Sequence, residues 1–199
     1  ELYVFFTNPA SIDTDGDGVD DYEEVKFALS NPLVSDFSGT PQVLQTLIGK
    51  NFSTSSEGWY SNGNSVDCLN RKGHISYQIT IPSKSVYVLE VSGQNALSSE
   101  TDVEFDLDME IAGTVCKAKK LISNAGGSST IRFYLPLLTS GTYNAKLIWN
   151  NIDHDKALRI NQVRLLALNG PDSNSNSVAD WIDHRMVMLQ KNNIPTISL

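Results

Sequence analysis

The sequence has few cysteines, few histidines and no long apolar run, and these shortages exclude several classes of protein. Its two cysteines, Cys68 and Cys116, match no zinc or redox spacing. No segment approaches the roughly 20 apolar residues of a membrane span. No basic stripe is interleaved with aromatic residues, so we expect no nucleic-acid partner. His74, His154 and His184 are scattered without a nucleophile motif, and we expect no enzyme activity.

Lysine is also scarce, whereas serine, asparagine and threonine are abundant, and this composition suits an extracellular protein. Outside the cell the two cysteines would form one disulfide, and two buried thiols are the alternative. The length of 199 residues allows one or two domains. We expect a secreted or cell-surface piece of a longer chain, with further domains as neighbours.

Negative charge is concentrated in residues 13–24. The chain has 23 acidic and 15 basic residues, and its net charge is −8. Seven of the acids lie in this stretch, which contains no base, so removing it would leave a net charge of −1. The acidity is therefore local and does not describe the whole surface.

The stretch DTDGDGVDDYEE has the spacing of a twelve-residue calcium loop. Gly18 at position 6 permits the sharp turn, and a glutamate at position 12 can supply two oxygens. The alternative is an acidic, solvated turn without a metal. The oxygen donors at positions 1, 3, 5, 7, 9 and 12 are Asp13, Asp15, Asp17, the carbonyl of Val19, Asp21 and Glu24. The pattern predicts Ca²⁺ as the cofactor.

A weaker copy of this loop occupies residues 172–183. Ser177 takes the glycine position and the shorter Asp183 replaces the closing glutamate, so we expect weaker calcium binding. The alternative is a metal-free Asx turn that caps the following helix. The corresponding donors are Asp172, Asn174, Asn176, the carbonyl of Val178, Asp180 and Asp183.

Two short helices and a third helix-like segment are predicted outside the central region. The first runs over 22–29 and ends before Asn31-Pro32, because a residue before proline avoids helical geometry. The second runs over 181–190, and a short helix is also expected over 42–48.

Period-two alternation dominates from about residue 51 to residue 168. Residues 103–111 alternate throughout and predict one strand, with apolar residues on one face and four acids on the other. That acidic face is either solvated or a second cation site; its members are Glu104, Asp106, Asp108 and Glu110. Six or more strands separated by turn residues predict a mainly β fold, an antiparallel jelly-roll-like β-sandwich flanked by short calcium-loop/helix motifs. The expected divisions are 1–40, 41–170 and 171–199.

Two family resemblances extend this interpretation. The loop at 13–24, followed by NPLVSD at 31–36, resembles the calcium repeats of bacterial thrombospondin type 3-like proteins. That resemblance implies Asp36 as a further ligand, and residues 172–183 would be a degenerate second copy. Residues 8–12 supply no incoming helix, so EF-hand switching is not expected. The strand segments at 73–82, 87–91, 135–143 and 158–165 resemble the jelly-roll carbohydrate-binding modules of secreted bacterial proteins.

These features favour a non-catalytic, calcium-stabilised binding module whose ligand is a polysaccharide or another cell-surface ligand. Sugar sites need aromatic platforms, and Trp59-Tyr60, in a segment rich in serine, glycine and asparagine, is the pair expected to be exposed. The alternative is a structural spacer or adhesion segment that calcium makes rigid and that binds no small ligand.

Overall fold

The structure is a computed structural model that describes residues 6–38, 41–68, 73–97, 103–123, 127–151 and 156–192, with side chains described up to residue 187. The chain divides into two compact units. We call Glu1–Gln42 together with Leu168–Leu199 the terminal unit, and Val43–Ala167 the sandwich unit. The sequence predicts separate divisions at 1–40 and 171–199; in the structure, residues of both belong to one unit.

The terminal unit contains both predicted helices next to the loops. Helix α1 (Asp21–Glu23) begins after Asp20, whose carboxylate accepts the N–H of Glu23, and it continues directly into a π-helical turn, Glu24–Ala28. Leu29 ends this turn with a left-handed φ of 57°. Helix α2 (Asp180–Asn192) follows the second loop. The first predicted helix is therefore present, with an α-helical start and a π-helical end.

The described part of the sandwich unit forms two larger antiparallel sheets and a two-stranded ribbon. Its strands are β1 (Gln42–Ile48), β2 (Thr54–Ser55), β3 (Trp59–Asn62), β4 (Ser65–Cys68), β5 (Gly73–Ile81), β6 (Val88–Asn95), β7 (Val103–Phe105), β8 (Leu107–Ile111), β9 (Thr114–Lys117), β10 (Leu121–Ser123), β11 (Ser129–Tyr134), β12 (Gly141–Trp149) and β13 (Leu158–Ala167).

Sheet A has the strand order β11-β6-β13-β4-β3, and β1 also pairs with β13. Sheet B has the order β2-β5-β12-β8-β9, and the ribbon pairs β10 with β7. Side chains from both sheets share one hydrophobic core, to which most strands contribute buried residues. The prediction of a mainly β, antiparallel sandwich with short loop–helix motifs is confirmed.

Three local predictions differ from the structure. Residues 42–48 form strand β1, not a helix, because their backbone pairs with β13. The alternating segment 103–111 is two strands, since β7 joins the ribbon and β8 joins sheet B, although its apolar face is buried as predicted. Trp59 lies on β3 and is 9% exposed, so the indole belongs to the core and, of this pair, only Tyr60 is exposed.

The cysteines lie in different sheets. Cys68 is on β4 of sheet A and Cys116 is on β9 of sheet B, and both side chains are buried.

Candidate functional site

The first loop gathers three carboxylates at one point. Oxygen atoms of Asp13, Asp15 and Asp17 lie within 4.8 Å of one another. The backbone fixes Asp13, because its Oδ1 accepts the N–H of Gly16 at 2.8 Å and its Oδ2 accepts the N–H of Gly18 at 3.0 Å. Three like charges at this separation repel one another unless a cation or protons neutralise them.

Glu24 is a second, independent indication of a metal at this loop. Its side chain is fully buried, and its Oε1 accepts the hydroxyl of Ser30 at 3.0 Å. In the described part of the chain, no donor reaches the buried Oε2 of Glu24 or the buried Oδ2 of Asp15. A buried carboxylate oxygen without a donor is costly, and a calcium ion is a partner that such oxygens fit.

Burial and mutual repulsion act on the pKa values of these acids. Burial, with further repulsion from Asp15 and Asp17, raises the pKa of Glu24 to about 8. Burial, with repulsion from Asp17 and Asp13, raises the pKa of Asp15 to about 6. Without a cation, these raised pKa values oppose the ionisation of Asp15 and Glu24 in the folded loop. This is expected of a site where a bound cation supplies the compensating positive charge.

The structure also places Asp36 beside the loop. Asp17 Oδ2 accepts the backbone N–H groups of Asp36 and Phe37 at 3.1 and 3.2 Å. The side chain of Asp36 is buried, and its Oδ2 accepts the N–H of Asn31 at 3.0 Å. Burial raises the pKa of both Asp17 and Asp36. Asp36 is thus close enough to the cluster to remain a candidate ligand.

Asp21, at loop position 9, has a different environment. Its two carboxylate oxygens accept the N–H of Thr14 at 2.8 Å and the hydroxyl of Thr14 at 2.7 Å. The N–H of Val19 donates to Asp17 Oδ1 at 2.9 Å, and Val19 is buried. Asp21 therefore stabilises the loop through its hydrogen bonds to Thr14. For its side chain to bind an ion directly, those hydrogen bonds would have to break.

The second loop repeats the backbone of the first at an offset of 159 residues. The N–H of Ser173 donates to Asp180, as that of Thr14 donates to Asp21. Ser177 donates to Asp172 Oδ2, as Gly18 donates to Asp13 Oδ2. Ser177 holds a φ of 68°, a left-handed value that glycine adopts with less strain. Ser175, the counterpart of Gly16, also has a left-handed φ, of 57°. The sequence repeat is therefore a structural repeat, with two strained positions.

The centre of the second loop is filled by amides. Nδ2 of Asn174 and Nδ2 of Asn176 donate to Asp183 Oδ2 at 2.9 and 2.8 Å. The corresponding positions in the first loop are carboxylates. These hydrogen bonds satisfy the closing acid of the second loop without a cation, and both amides would have to turn their oxygens inward to bind one.

Helix α2 contacts the helical segment that follows the first loop. Arg185 is 3% exposed, and its guanidinium donates to the carbonyl oxygens of Phe27 and Ala28 at 2.5 and 2.7 Å. His184 Nδ1 lies 2.7 Å from the carbonyl oxygen of Leu29. These side chains thus occupy the carbonyl end of the turn that carries Glu24, where positive charge is favourable.

In the sandwich unit, Tyr60 stands on the outer face of sheet A and is 40% exposed. Its hydroxyl lies 3.3 Å from Asp67 Oδ2, which also accepts Asn62 Nδ2 at 2.9 Å. Arg159 binds the same carboxylate through Nε and Nη2 at 2.6 and 2.7 Å. Burial alone would raise the pKa of Asp67, but the hydrogen bonds from Arg159 and Asn62 hold it below its usual value.

A belt of neutral polar side chains continues across this outer face. Asn161 Nδ2 donates to Gln94 Oε1 at 3.2 Å and to the hydroxyl of Ser128 at 3.0 Å, and Asn161 Oδ1 accepts the hydroxyl of Ser65 at 2.9 Å. Ser92 and Ser128 share a hydrogen bond of 2.6 Å. We call the outward side chains of β3, β4, β13, β6 and β11 the polar face.

Three of the four acidic residues of segment 103–111 form ion pairs with lysines. Glu104 pairs with Lys120 at 2.7 Å and Glu110 pairs with Lys146 at 3.0 Å. Asp108, which is buried, pairs with Lys117. The four-acid face is therefore largely neutralised by neighbouring lysines. His154 lies outside the described residues.

Among the described residues, no helix is both long and apolar enough to cross a membrane. No protein-family model and no curated protein matches the chain. Among solved structures, the chain is similar to a carbohydrate-binding module of Cellvibrio mixtus lichenase 5A, solved with cellotriose, at 19% identity and a TM-score of 0.46. The similarity covers 64% of this chain and all of that module.

Two further modules are similar to a comparable extent. One is a family 35 carbohydrate-binding module from an environmental isolate, at 15% identity and a TM-score of 0.49, covering 65% of this chain and 100% of the module. The other is a family 36 module in complex with calcium and xylotriose, at 13% identity and a TM-score of 0.45, covering 61% and 99%. No residue role is transferred from these structures to this chain.

Proposed function

We propose that the chain is a non-catalytic, calcium-stabilised extracellular binding module of a larger secreted protein, and that it binds carbohydrate. The observation that carries the calcium part is the buried Oε2 of Glu24, which lacks a donor among the described residues beside three clustered aspartates. Calcium fits this donor set because it is a hard cation that takes carboxylate and carbonyl oxygens.

The first loop is the principal calcium site in this proposal. Asp13, Asp15, Asp17 and Glu24 supply carboxylates, Val19 supplies its carbonyl, and Asp36 is the additional ligand. The second loop binds calcium more weakly, because its amides must first leave Asp183 and because it carries fewer charges. Its donors are Asp172, Asn174, Asn176, Val178, Asp180 and Asp183.

Carbohydrate binding is assigned to the polar face. Tyr60 offers an exposed ring on which a sugar can stack, and Asn62, Gln94 and Asn161 offer amide groups for its hydroxyls. Trp59 takes no direct part in this proposal, because it is buried, and it supports the strand from which Tyr60 projects.

Calorimetric titration with calcium, followed by affinity electrophoresis against soluble polysaccharides in calcium, tests both parts. We expect one tighter calcium event that Asp15→Ala abolishes and a weaker one that remains. Retarded migration in at least one polysaccharide gel is the expected ligand result. Calcium binding with no retardation in any gel would instead favour the spacer or adhesion segment, and no calcium binding would refute the metal site.

A further inference from the structure

Charge on the polar face points to a class of ligand. The described strands of sheet A carry five charged side chains, and each lies between neighbours of the hydrophobic core, so all five project outward. Three are arginines and two are acids, which leaves one positive charge on this face of a chain whose net charge is −8. They are Asp67, Glu90, Arg132, Arg159 and Arg164.

The surplus positive charge comes from two arginines that share Glu90 as their partner. This buried carboxylate on the interior strand β6 is flanked in register by Arg132 on β11 and Arg164 on β13. Arg132 Nε donates to Glu90 Oε2 at 3.2 Å, and Arg164 binds Oε1 through Nε at 3.0 Å and through Nη2. One carboxylate thus serves two guanidiniums, whose side chains remain 30% and 37% exposed.

The geometry of these arginines suits an anion. A guanidinium has five N–H donors in a planar fork, and those not used by Glu90 can bind a second carboxylate or a sulfate in the same plane. Gln94 lies four residues along β6 from Glu90, a distance of about 13 Å. From Gln94 the paired positions lead across the sheet to Tyr60, so the two arginines and Tyr60 belong to one continuous surface.

We propose that the polar face selects an acidic polysaccharide, with an anionic sugar group bound by Arg132 and Arg164 and neutral sugar units bound along the row of Tyr60, Asn62 and Gln94. The assignment rests on the proposed carbohydrate function and names its ligand class. The anion is a carboxylate or a sulfate, which share the chemistry that guanidinium recognises.

Affinity electrophoresis of the full chain in calcium, with matched polymers, tests this assignment. The probes are polygalacturonate, its carboxyl-reduced neutral form, dextran sulfate and dextran. We expect binding to an acidic polymer to exceed binding to its neutral counterpart and to weaken as salt is added. Tighter retardation by dextran sulfate than by polygalacturonate would identify sulfate as the anion, and the reverse would identify carboxylate.

Three variants separate recognition from folding. Arg164→Gln should weaken acidic-polymer binding roughly tenfold, because it removes a charged donor. Glu90→Gln should strengthen it, because it removes the competing carboxylate; a merely structural role would give only loss. Lys146→Gln, on sheet B, is the matched control and should change nothing. Melting curves confirm that each variant is folded.

The contradicting results are distinct. Equal affinities for acidic and neutral polymers would overturn the assignment and leave neutral carbohydrate binding intact. The same holds if the affinity for acidic polymers changes neither with salt nor with Arg164→Gln or Glu90→Gln. Binding to none of the four polymers, together with none in a wider panel of neutral polysaccharides, overturns the proposed function along with it.

Discussion

The indole of Trp181 packs against the ring of Phe37, with ring centroids 5.1 Å apart and an interplanar angle of 53°. Trp181 is fully buried, and its Nε1 donates to the carbonyl of Leu168 at 3.4 Å. The segment that follows the first loop and its helical turn is thereby joined to the helix of the second loop. The two loop motifs pack together through this contact and through Arg185.

Asp15→Ala tests whether the first loop holds a structural ion. In millimolar calcium we expect a loss of stability of about 1–3 kcal/mol, because an ion that binds only the folded state contributes RT ln(1 + [L]/Kd). In chelator the substitution should be nearly neutral, since it also removes a repelling charge. Thermal melting in both conditions checks this. Glu57→Ala, an exposed acid of the sandwich unit, is the control, and equal losses in calcium and chelator would refute a metal role.

The raised pKa of Glu24 predicts how pH acts on the calcium-free protein. Burial raises this pKa from 4.5 to about 8 in the folded state, so the folded state holds the proton more tightly than the unfolded state. Stability without calcium should therefore fall as pH rises from about 4.5 to about 8, and calcium should stabilise most at the upper end of this range.

Melting temperatures measured in chelator and in calcium across that pH range test this dependence. Glu24→Gln is the informative variant, because it removes the titrating group and keeps a similar shape. We expect it to flatten the pH dependence in chelator and to lose the stabilisation by calcium. A wild-type melting temperature that rises with pH in chelator would show that the sign of the effect is wrong.

Arg185→Met should loosen the turn that carries Glu24. The substitution keeps an apolar stem but removes the donors to the carbonyl oxygens of Phe27 and Ala28. Hydrogen bonds from a charged group contribute about 1.5–3 kcal/mol each, so we expect a loss of at least ~2 kcal/mol in the terminal unit. Hydrogen exchange of residues 21–30 measures it, and Val187→Ala, at an exposed position of α2, is the control. Unchanged protection of residues 21–30 would contradict the role of Arg185.

Tyr60→Ala should weaken polysaccharide binding without unfolding the sandwich unit. The ring is 40% exposed and its loss opens no core cavity, whereas stacking of a sugar on it would contribute about 1–2 kcal/mol. Isothermal titration gives the affinity and melting gives the stability. Val115→Ala, at an exposed position of sheet B, is the comparison. Identical affinities of the two variants and the parent would remove Tyr60 from the site.

Local sequence patterns are sufficient to locate the first acidic loop and most of the period-two strands. The spacing of Asp13, Asp15 and Asp17 determines the loop because alternate residues of a tight turn converge on one point. The alternation in β7 and β12 likewise predicts which side chains are buried. These features depend on neighbours a few residues away, which the sequence displays directly.

Long-range contacts explain what the sequence does not reveal. Arg185 reaches Ala28 across 157 residues, and no local pattern marks it as a cap for that turn. Residues 42–48 contain no strong strand pattern and become β1 by pairing with β13. Trp59 follows a serine- and glycine-rich segment typical of a loop, and its burial depends on pairing with Cys68 on β4. The two-arginine arrangement around Glu90 likewise exists only once β11, β6 and β13 are aligned.

The terminal unit combines two segments that are far apart in the sequence, and this affects the order in which the chain can fold during synthesis. The first loop leaves the ribosome early, but Trp181 and Arg185, which contact the segments around it, are made about 150 residues later. Val43–Ala167 can begin to collapse while the loop still lacks these partners. The terminal unit is therefore completed after the sandwich unit, and the segments around the first loop reach their final packing only once residues 181–185 have been made.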